Sequence, residues 1–153
     1  MATANESGTA VGAEDAEQIK TEWLNRVENL VAEVQAWCES LDWVARRIDV
    51  KLRDSRIGKY DAPGLVFQKE TCRLVLEPIG RSSPGTQGVV DLYLMPGLDD
   101  VATLLYHDRA WHIHRASTDS DGAESSLTNS AEPLTRELFR AVIEEMMGHV
   151  SEA

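Results

Sequence analysis

The chain has 153 residues and carries 15 lysines and arginines against 26 aspartates and glutamates, which gives a formal net charge of −11. This length fits one domain with a sizeable core, so the fold needs no disulfide or metal for its stability. The acidity disfavours broad binding to nucleic acid and to anionic membranes. No apolar run approaches the roughly 20 residues that a membrane span requires.

The N-terminus and the cysteines indicate the compartment. The N-terminal residues lack the basic and apolar segments of a secretory signal. Cys38 and Cys72 are too few for a disulfide framework, and their spacing matches no zinc motif. Arginine outnumbers lysine by 11 to 4, which is typical of GC-rich bacterial genomes. We therefore expect a protein of the bacterial cytoplasm whose two cysteines are inert packing residues.

A long N-terminal helix is predicted from Asp15 to Leu41. Its apolar residues recur at steps of three and four, which lays them along one helix face. They are Ile19, Trp23, Val27, Leu30, Val34, Trp37 and Leu41. Residues 1–14 are small, polar and acidic, so we expect a disordered tail there. Because so long a helix can project past a small sheet, Trp23, Leu30 and Trp37 are candidates for a self-association surface.

The first strands are predicted from period-two alternation that begins after Trp43. The expected buried residues of the first strand are Val44, Ile48, Val50 and Leu52. Residues 55–64 contain two glycines and a proline and are expected to form a loop. Two strands should follow, joined by a turn at Lys69–Glu70 that places Phe67 opposite Cys72. One continuous bent strand is the alternative, because Lys69–Glu70 is not a favoured turn pair.

The rest of the chain is predicted as strands, one long loop and a closing helix. Three more strands are expected at residues 89–95, 100–107 and 110–116. Residues 117–130 are polar and acidic and are expected to form a flexible loop. A helix should begin near Pro133, which is tolerated in a first helical turn. Residues 15–150 are therefore expected to form a single domain.

Strands flanked by helices in this order are typical of an α+β fold. We predict a long N-terminal helix, an antiparallel meander of five or six strands and a C-terminal helix. Both helices should pack on one face of the sheet. The alternative is a PH-like small barrel with the C-terminal helix at one end.

Three of the four histidines lie close together in the sequence: His107, His112 and His114. A two-residue turn at Asp108–Arg109 would pair Leu105 with His112 and Thr103 with His114, so all three histidines would share the face away from the core. Two strand histidines about 7 Å apart can ligate one Zn²⁺ or Fe²⁺. Asp91 or Glu77 could add an oxygen ligand. The alternative is a polar outer face that binds no metal.

Basic residues concentrate in one segment of this acidic chain. Residues 43–60 carry six cations against Asp49 and Asp54, a local charge of +4. Such a strand could receive a phosphate, a carboxylate or an acidic partner. The candidate residues are Arg47, Lys51, Arg53 and Arg73. The alternative is that basic side chains keep an edge strand from pairing with other chains.

No complete catalytic constellation is visible, because no nucleophile is placed beside His112. We therefore predict a non-enzymatic accessory or protein-interaction module that binds no cofactor and forms a homodimer. One alternative is a metal- or ligand-binding domain that uses the histidine cluster with Zn or Fe. Another alternative is an anionic-ligand binder that uses the basic strand. We expect a protein partner or a second copy, and neither nucleic acid nor a membrane.

Overall fold

The computed structural model describes residues 3–81, 86–96, 101–115 and 131–152, and the side chains of residues 15–148 within those ranges. The elements in chain order are α1 (Thr3–Ser40), β1 (Val44–Asp54), β2 (Gly58–Lys69), β3 (Cys72–Gly80), β4 (Val89–Leu94), β5 (Val101–His107), β6 (Ala110–Arg115), β7 (Glu132–Pro133) and α2 (Arg136–Glu152). The predicted loop at 117–130 lies outside the described residues.

The seven strands form one open antiparallel sheet in the order β1 to β7, so each strand pairs with its neighbours along the chain. The predicted α+β meander is confirmed. The alternative of a closed PH-like barrel is wrong, because β1 and β7 stand at opposite edges of the described sheet and do not pair. The strand count exceeds the prediction because β7 has only two residues, too few for a visible alternation.

Both helices pack on one face of the sheet, as predicted. The buried residues of the helices are Trp23, Val27, Leu30, Val31, Val34 and Cys38 in α1, and Phe139, Val142, Ile143 and Met146 in α2. Phe139 joins the three parts of the core. Its ring centroid lies 5.5 Å from that of Trp37 on α1 and 6.0 Å from that of Phe67 on β2. This aromatic contact fixes both helices against the sheet.

The helix α1 extends from Thr3, so its span includes most of the segment that we expected to be a tail, residues 1–14. Its described side chains begin at Asp15, where the apolar periodicity of the sequence also begins. In the described part of the chain, no helix combines the length and the hydropathy needed to cross a bilayer.

The β1–β2 hairpin is longer than predicted, because β2 begins at Gly58 and only residues 55–57 form the turn. Pro63 pairs opposite Asp49 inside this ladder. A Cβ atom at Gly64 would lie 2.9 Å from the carbonyl oxygen of Leu76, so the close approach of β2 and β3 requires glycine here. The glycines and the proline that suggested a loop are thus parts of a strand.

Two details of strand register differ from the predictions. Val44 is 76% exposed, while its neighbour Ala45 packs against the core, so the predicted burial is wrong at the start of β1. The β2–β3 turn lies one residue later than predicted, because Lys69 pairs with Cys72. Glu70 in this turn has a φ of 57°, a left-handed conformation that closes the turn at an unfavoured residue type.

The register of the β5–β6 hairpin is confirmed. His107 pairs with Ala110, and the next pairs on the same face are Leu105 with His112 and Thr103 with His114. The turn residues Asp108 and Arg109 have φ angles of 53° and 63°. Two consecutive positive φ angles match the twist of the flanking strands.

Candidate functional site

The end of the β1–β2 hairpin is fixed by Asp54. Its Oδ1 accepts hydrogen bonds from the backbone N–H groups of Arg56 at 2.7 Å and Ile57 at 3.2 Å. Its Oδ2 lies 2.8 Å from Nε of Arg81, at the end of β3. Burial favours the neutral acid, but these hydrogen bonds and the Arg81 charge outweigh it and lower the pKa of Asp54. Arg56 also contacts Asp15 of α1 at 2.7 Å, which ties the hairpin end to the helix.

Beyond this anchor, basic side chains share one face of the hairpin. Arg53 lies directly opposite Lys59, and Lys51 lies opposite Asp61. Nζ of Lys51 is 3.6 Å from Oδ1 of Asp61. A hollow of about 590 Å³ opens over these four residues and the intervening Leu52 and Tyr60. We call this place the hairpin hollow.

The hairpin hollow carries three cations against one carboxylate, a local charge of +2 in a chain of −11. Among the residues that the structure describes, the side chains of Arg53 and Lys59 contact no carboxylate and donate no hydrogen bond. Opposite side chains of an antiparallel pair have Cβ atoms about 5 Å apart, and like charges at that position are destabilising. The strand pairing therefore brings the basic side chains of the hollow together, but the described residues do not supply enough carboxylates to balance their charge.

Only two of the four predicted anion-binding residues, Lys51 and Arg53, come together in the hollow. Arg47 instead contacts Glu28 at 2.8 Å and Gln35 at 3.1 Å, so it holds β1 against α1. Arg73 donates two hydrogen bonds to Gln68 on the neighbouring strand.

The sequence prediction missed Lys59 as a site residue. The expected loop at 55–64 hid the pairing that sets Lys59 opposite Arg53. A three-residue turn at 55–57 would have revealed this pairing from the sequence alone.

The predicted histidine cluster lies on the face of the sheet away from the helices. The rings of His107 and His112 are stacked, with centroids 3.8 Å apart and planes inclined by 15°. Stacked rings direct their nitrogen lone pairs side by side, whereas a shared metal at about 2 Å needs lone pairs that converge. In the ranges that the structure describes, no three histidine, cysteine or acidic side chains, His114 included, are grouped to hold a metal ion.

The two acids considered as oxygen ligands, Glu77 and Asp91, are opposite each other on β3 and β4. Burial raises the pKa of Asp91, the charge of Glu77 raises it further, and a hydrogen bond from Thr103 opposes both. The hydroxyl of Tyr93 donates to Glu77 at 2.6 Å. Burial and these acidic neighbours raise the pKa of Tyr93 to about 12. The cluster can hold a proton on Asp91 at a higher pH than an ordinary aspartate does.

The two thiols are buried. Burial, with a smaller contribution from Glu39, raises the pKa of Cys38 to about 12. Burial also raises the pKa of Cys72. The thiolate is the reactive form of cysteine, so neither thiol is prepared to act as a nucleophile.

The residues suggested for self-association are used inside the monomer. Trp23 and Leu30 are each 1% exposed, and the indole N–H of Trp23 donates to the hydroxyl of Tyr60 at 2.8 Å. Trp37 packs against Phe139. A second copy could reach Trp23 and Leu30 only if α1 left the sheet, whereas Trp37 is only partly buried.

Comparisons with family models, with curated proteins and with solved structures find no match for this chain.

Proposed function

We propose that the protein is a binding module, and that its hairpin hollow receives an acidic segment of a partner protein. The observation that carries this proposal is the direct opposition of Arg53 and Lys59, with Lys51 beside them. An acidic segment would supply the negative charge that the fold leaves out. This role is an interaction rather than a reaction.

The way the chain uses its other acids supports this function. Asp15, Glu28 and Asp54 each contact an arginine, and each of these contacts secures the hairpin to α1 or to β3. The arginines that hold the hairpin in place, Arg47, Arg56 and Arg81, therefore each have a carboxylate partner. The pair Arg53–Lys59 contributes repulsion to the folded state, and a binding role explains its presence.

The exposure of the hollow favours a protein segment over a small anion. The side chain of Lys51 is 87% exposed and that of Asp61 is 56% exposed. A small anion would remain largely hydrated here and would gain little from each contact. An extended segment can place several carboxylates along the ribbon, and complementary charge speeds its association. The net charge of −11 repels any long polyanion, nucleic acid included, so the acidic segment should be short enough to contact the hollow alone.

A labelled oligoglutamate peptide tests this function by fluorescence anisotropy. The test variant is Arg53→Glu with Lys59→Glu, and the matched control is Arg46→Glu with Arg73→Glu. Each replacement lowers the charge by two, so both variants carry −15 in place of −11. We expect the test variant to lose about tenfold or more in affinity, the control to lose less than half as much, and added salt to weaken binding.

Three results would contradict the proposal. The wild-type protein could fail to bind the peptide at low salt, or both variants could lose affinity equally. A single-stranded oligonucleotide could also bind more tightly than the peptide. Sedimentation in the same buffer identifies a second copy as the partner if the mass doubles with concentration and the test variant prevents it.

A further inference from the structure

A second concave site lies toward the other end of the sheet, between α1 and the end of the β5–β6 hairpin. This groove has a volume of about 540 Å³, within the range of small-ligand sites. Pro133 and Leu134, which lead into α2, close one side. It shares no residue with the hairpin hollow, so an inference here is independent of the function proposed above.

The α1 wall of the groove is polar. Glu22, Asn25, Asn29 and Glu33 lie at steps of three, four and four, so they follow one helix face over roughly 16 Å. All four are exposed. Within the described residues, Asn25, Asn29 and Glu33 have no hydrogen-bond partner, and Glu22 accepts only a long bond from Gln18 at 3.4 Å. This wall offers amide donors and acceptors that are free for a ligand.

The opposite wall is aromatic and held in place. The rings of Tyr106 and Trp111 meet edge to face, with centroids 5.3 Å apart. The guanidinium of Arg26 lies 4.2 Å above the Tyr106 ring and donates to the carbonyl of Gln87 at 2.9 Å. A Cβ atom at Gly88 would approach the Trp111 ring to 3.3 Å. The contacts with Arg26 and Gly88 therefore hold the aromatic wall in place, and it does not need to rearrange to bind.

The charges of the groove indicate an uncharged ligand. Glu22 and Glu33 are balanced by Arg26 and Arg109, so the lining is neutral although the chain carries −11. Free amides and carboxylates beside an aromatic ring suit a ligand that has hydroxyl groups on its edge and C–H groups on its face. A pyranose ring has this arrangement.

We propose that this groove binds a carbohydrate of one or two pyranose units. The hydroxyl groups bond to Asn25 and Asn29, and the C–H face of the sugar packs on the Trp111 ring. A peptide that adds to the sheet as an extra strand fits less well, since that mode of binding needs a free strand edge. At this groove the edge of β6 is occupied, because the Leu134 N–H donates to the Trp111 carbonyl at 2.9 Å.

Saturation-transfer-difference NMR with maltose, cellobiose, lactose and N,N′-diacetylchitobiose tests the site. The test variant is Asn25→Ala with Asn29→Ala, and the control is Thr21→Ala, at a neutral exposed residue of α1 outside the groove. Alanine favours helix in both variants, so the fold should be kept. A thermal melt of each variant checks this.

We expect at least one disaccharide to bind the wild-type protein and the control with equal affinity. The test variant should bind it about tenfold more weakly, the effect of two lost hydrogen bonds. The proposal is overturned if none of the four disaccharides binds, or if the Asn25/Asn29 variant binds as well as the wild type. It is also overturned if tetra-alanine displaces the bound sugar and binds the groove more tightly.

Discussion

Arg53 and Lys59 stand directly opposite each other across the β1–β2 hairpin, and no carboxylate lies against either within the described residues. In the same hairpin, Arg56 forms an ion pair with Asp15 of α1, and Asp54 forms one with Arg81 at the end of β3. Arg56 therefore has a carboxylate partner, whereas Arg53 and Lys59 have none among the described residues. This contrast separates residues that hold the hairpin from residues that are free to bind.

Replacing Lys59 by glutamate should raise stability and reduce binding at the same time. The change converts a like-charge pair with Arg53 into an opposite-charge pair, a gain of about 0.5 kcal/mol in the free energy of unfolding. Urea unfolding measures it, and Lys59→Gln should give about half of the gain. A loss of stability in Lys59→Glu would show that Lys59 has a structural partner.

Replacing Asp54 by asparagine should destabilise the protein by about 1–3 kcal/mol at neutral pH, because charged hydrogen bonds to Arg56, Ile57 and Arg81 are lost. The pKa of Asp54 is lowered in the folded state. Its contribution is therefore present above the unfolded pKa and disappears as the pH falls through the folded pKa. Thermal melts from neutral to acidic pH should show the two proteins converging.

The matched control for this change is Asp61→Asn. Asp61 is more than half exposed and meets Lys51 only at 3.6 Å, so the stability should change by less than about 0.5 kcal/mol. Equal losses from both substitutions would mean that Asp54 does not anchor the hairpin end.

Replacing Asp91 by asparagine should stabilise the protein at neutral pH, whereas Asp54→Asn should destabilise it. Burial and the facing Glu77 raise the pKa of Asp91, so its contribution is full below the unfolded pKa and is lost as the pH rises through the folded pKa. At neutral pH the asparagine removes a like-charge pair and should add about 0.5–1 kcal/mol. The gain should vanish in acid.

Asp49→Asn is the control for Asp91. Asp49 is an exposed carboxylate opposite Pro63, and its replacement at neutral pH should change the free energy of unfolding by less than about 0.5 kcal/mol. A gain in Asp91→Asn that persists in acid would argue that packing, and not charge, is responsible.

Replacing Gly88 by alanine should cost about 1–3 kcal/mol, because the new methyl group overpacks the core. Its Cβ would lie 2.8 Å from the Trp23 ring and 3.3 Å from both Trp111 and Tyr106. Gly80→Ala, where nothing lies within 4 Å, is the matched control and should be nearly neutral in urea unfolding. Similar losses at both glycines would contradict this account of the aromatic wall.

The parts of the fold that could be predicted are those with a strong local signal. Alternation on both sides of Asp108–Arg109 was enough to give the β5–β6 register. The helical spacing from Trp23 onward predicted the face that α1 buries. In both places, local pattern and tertiary packing agree.

The parts that could not be predicted depend on contacts between distant residues. Pro63 and Gly64 resemble loop residues, but the approach of Leu76 from β3 makes glycine necessary in a strand. Because this part of β2 was predicted as a loop, the pairing of Lys59 with Arg53 was not predicted either. Arg47 appeared free in sequence and is instead bound to Glu28 of α1. Spacing cannot reveal which basic residues the fold has already neutralised.

The most direct measurement is an amide ¹H–¹⁵N NMR titration of the labelled protein with an oligoglutamate peptide at low salt. We expect the largest shifts at Lys51, Arg53 and Lys59, and we expect salt to reverse them. The amides of Arg46 and Arg73 should barely move. Shifts concentrated at Arg46 and Arg73, or no shifts at any peptide concentration, would contradict the proposed site.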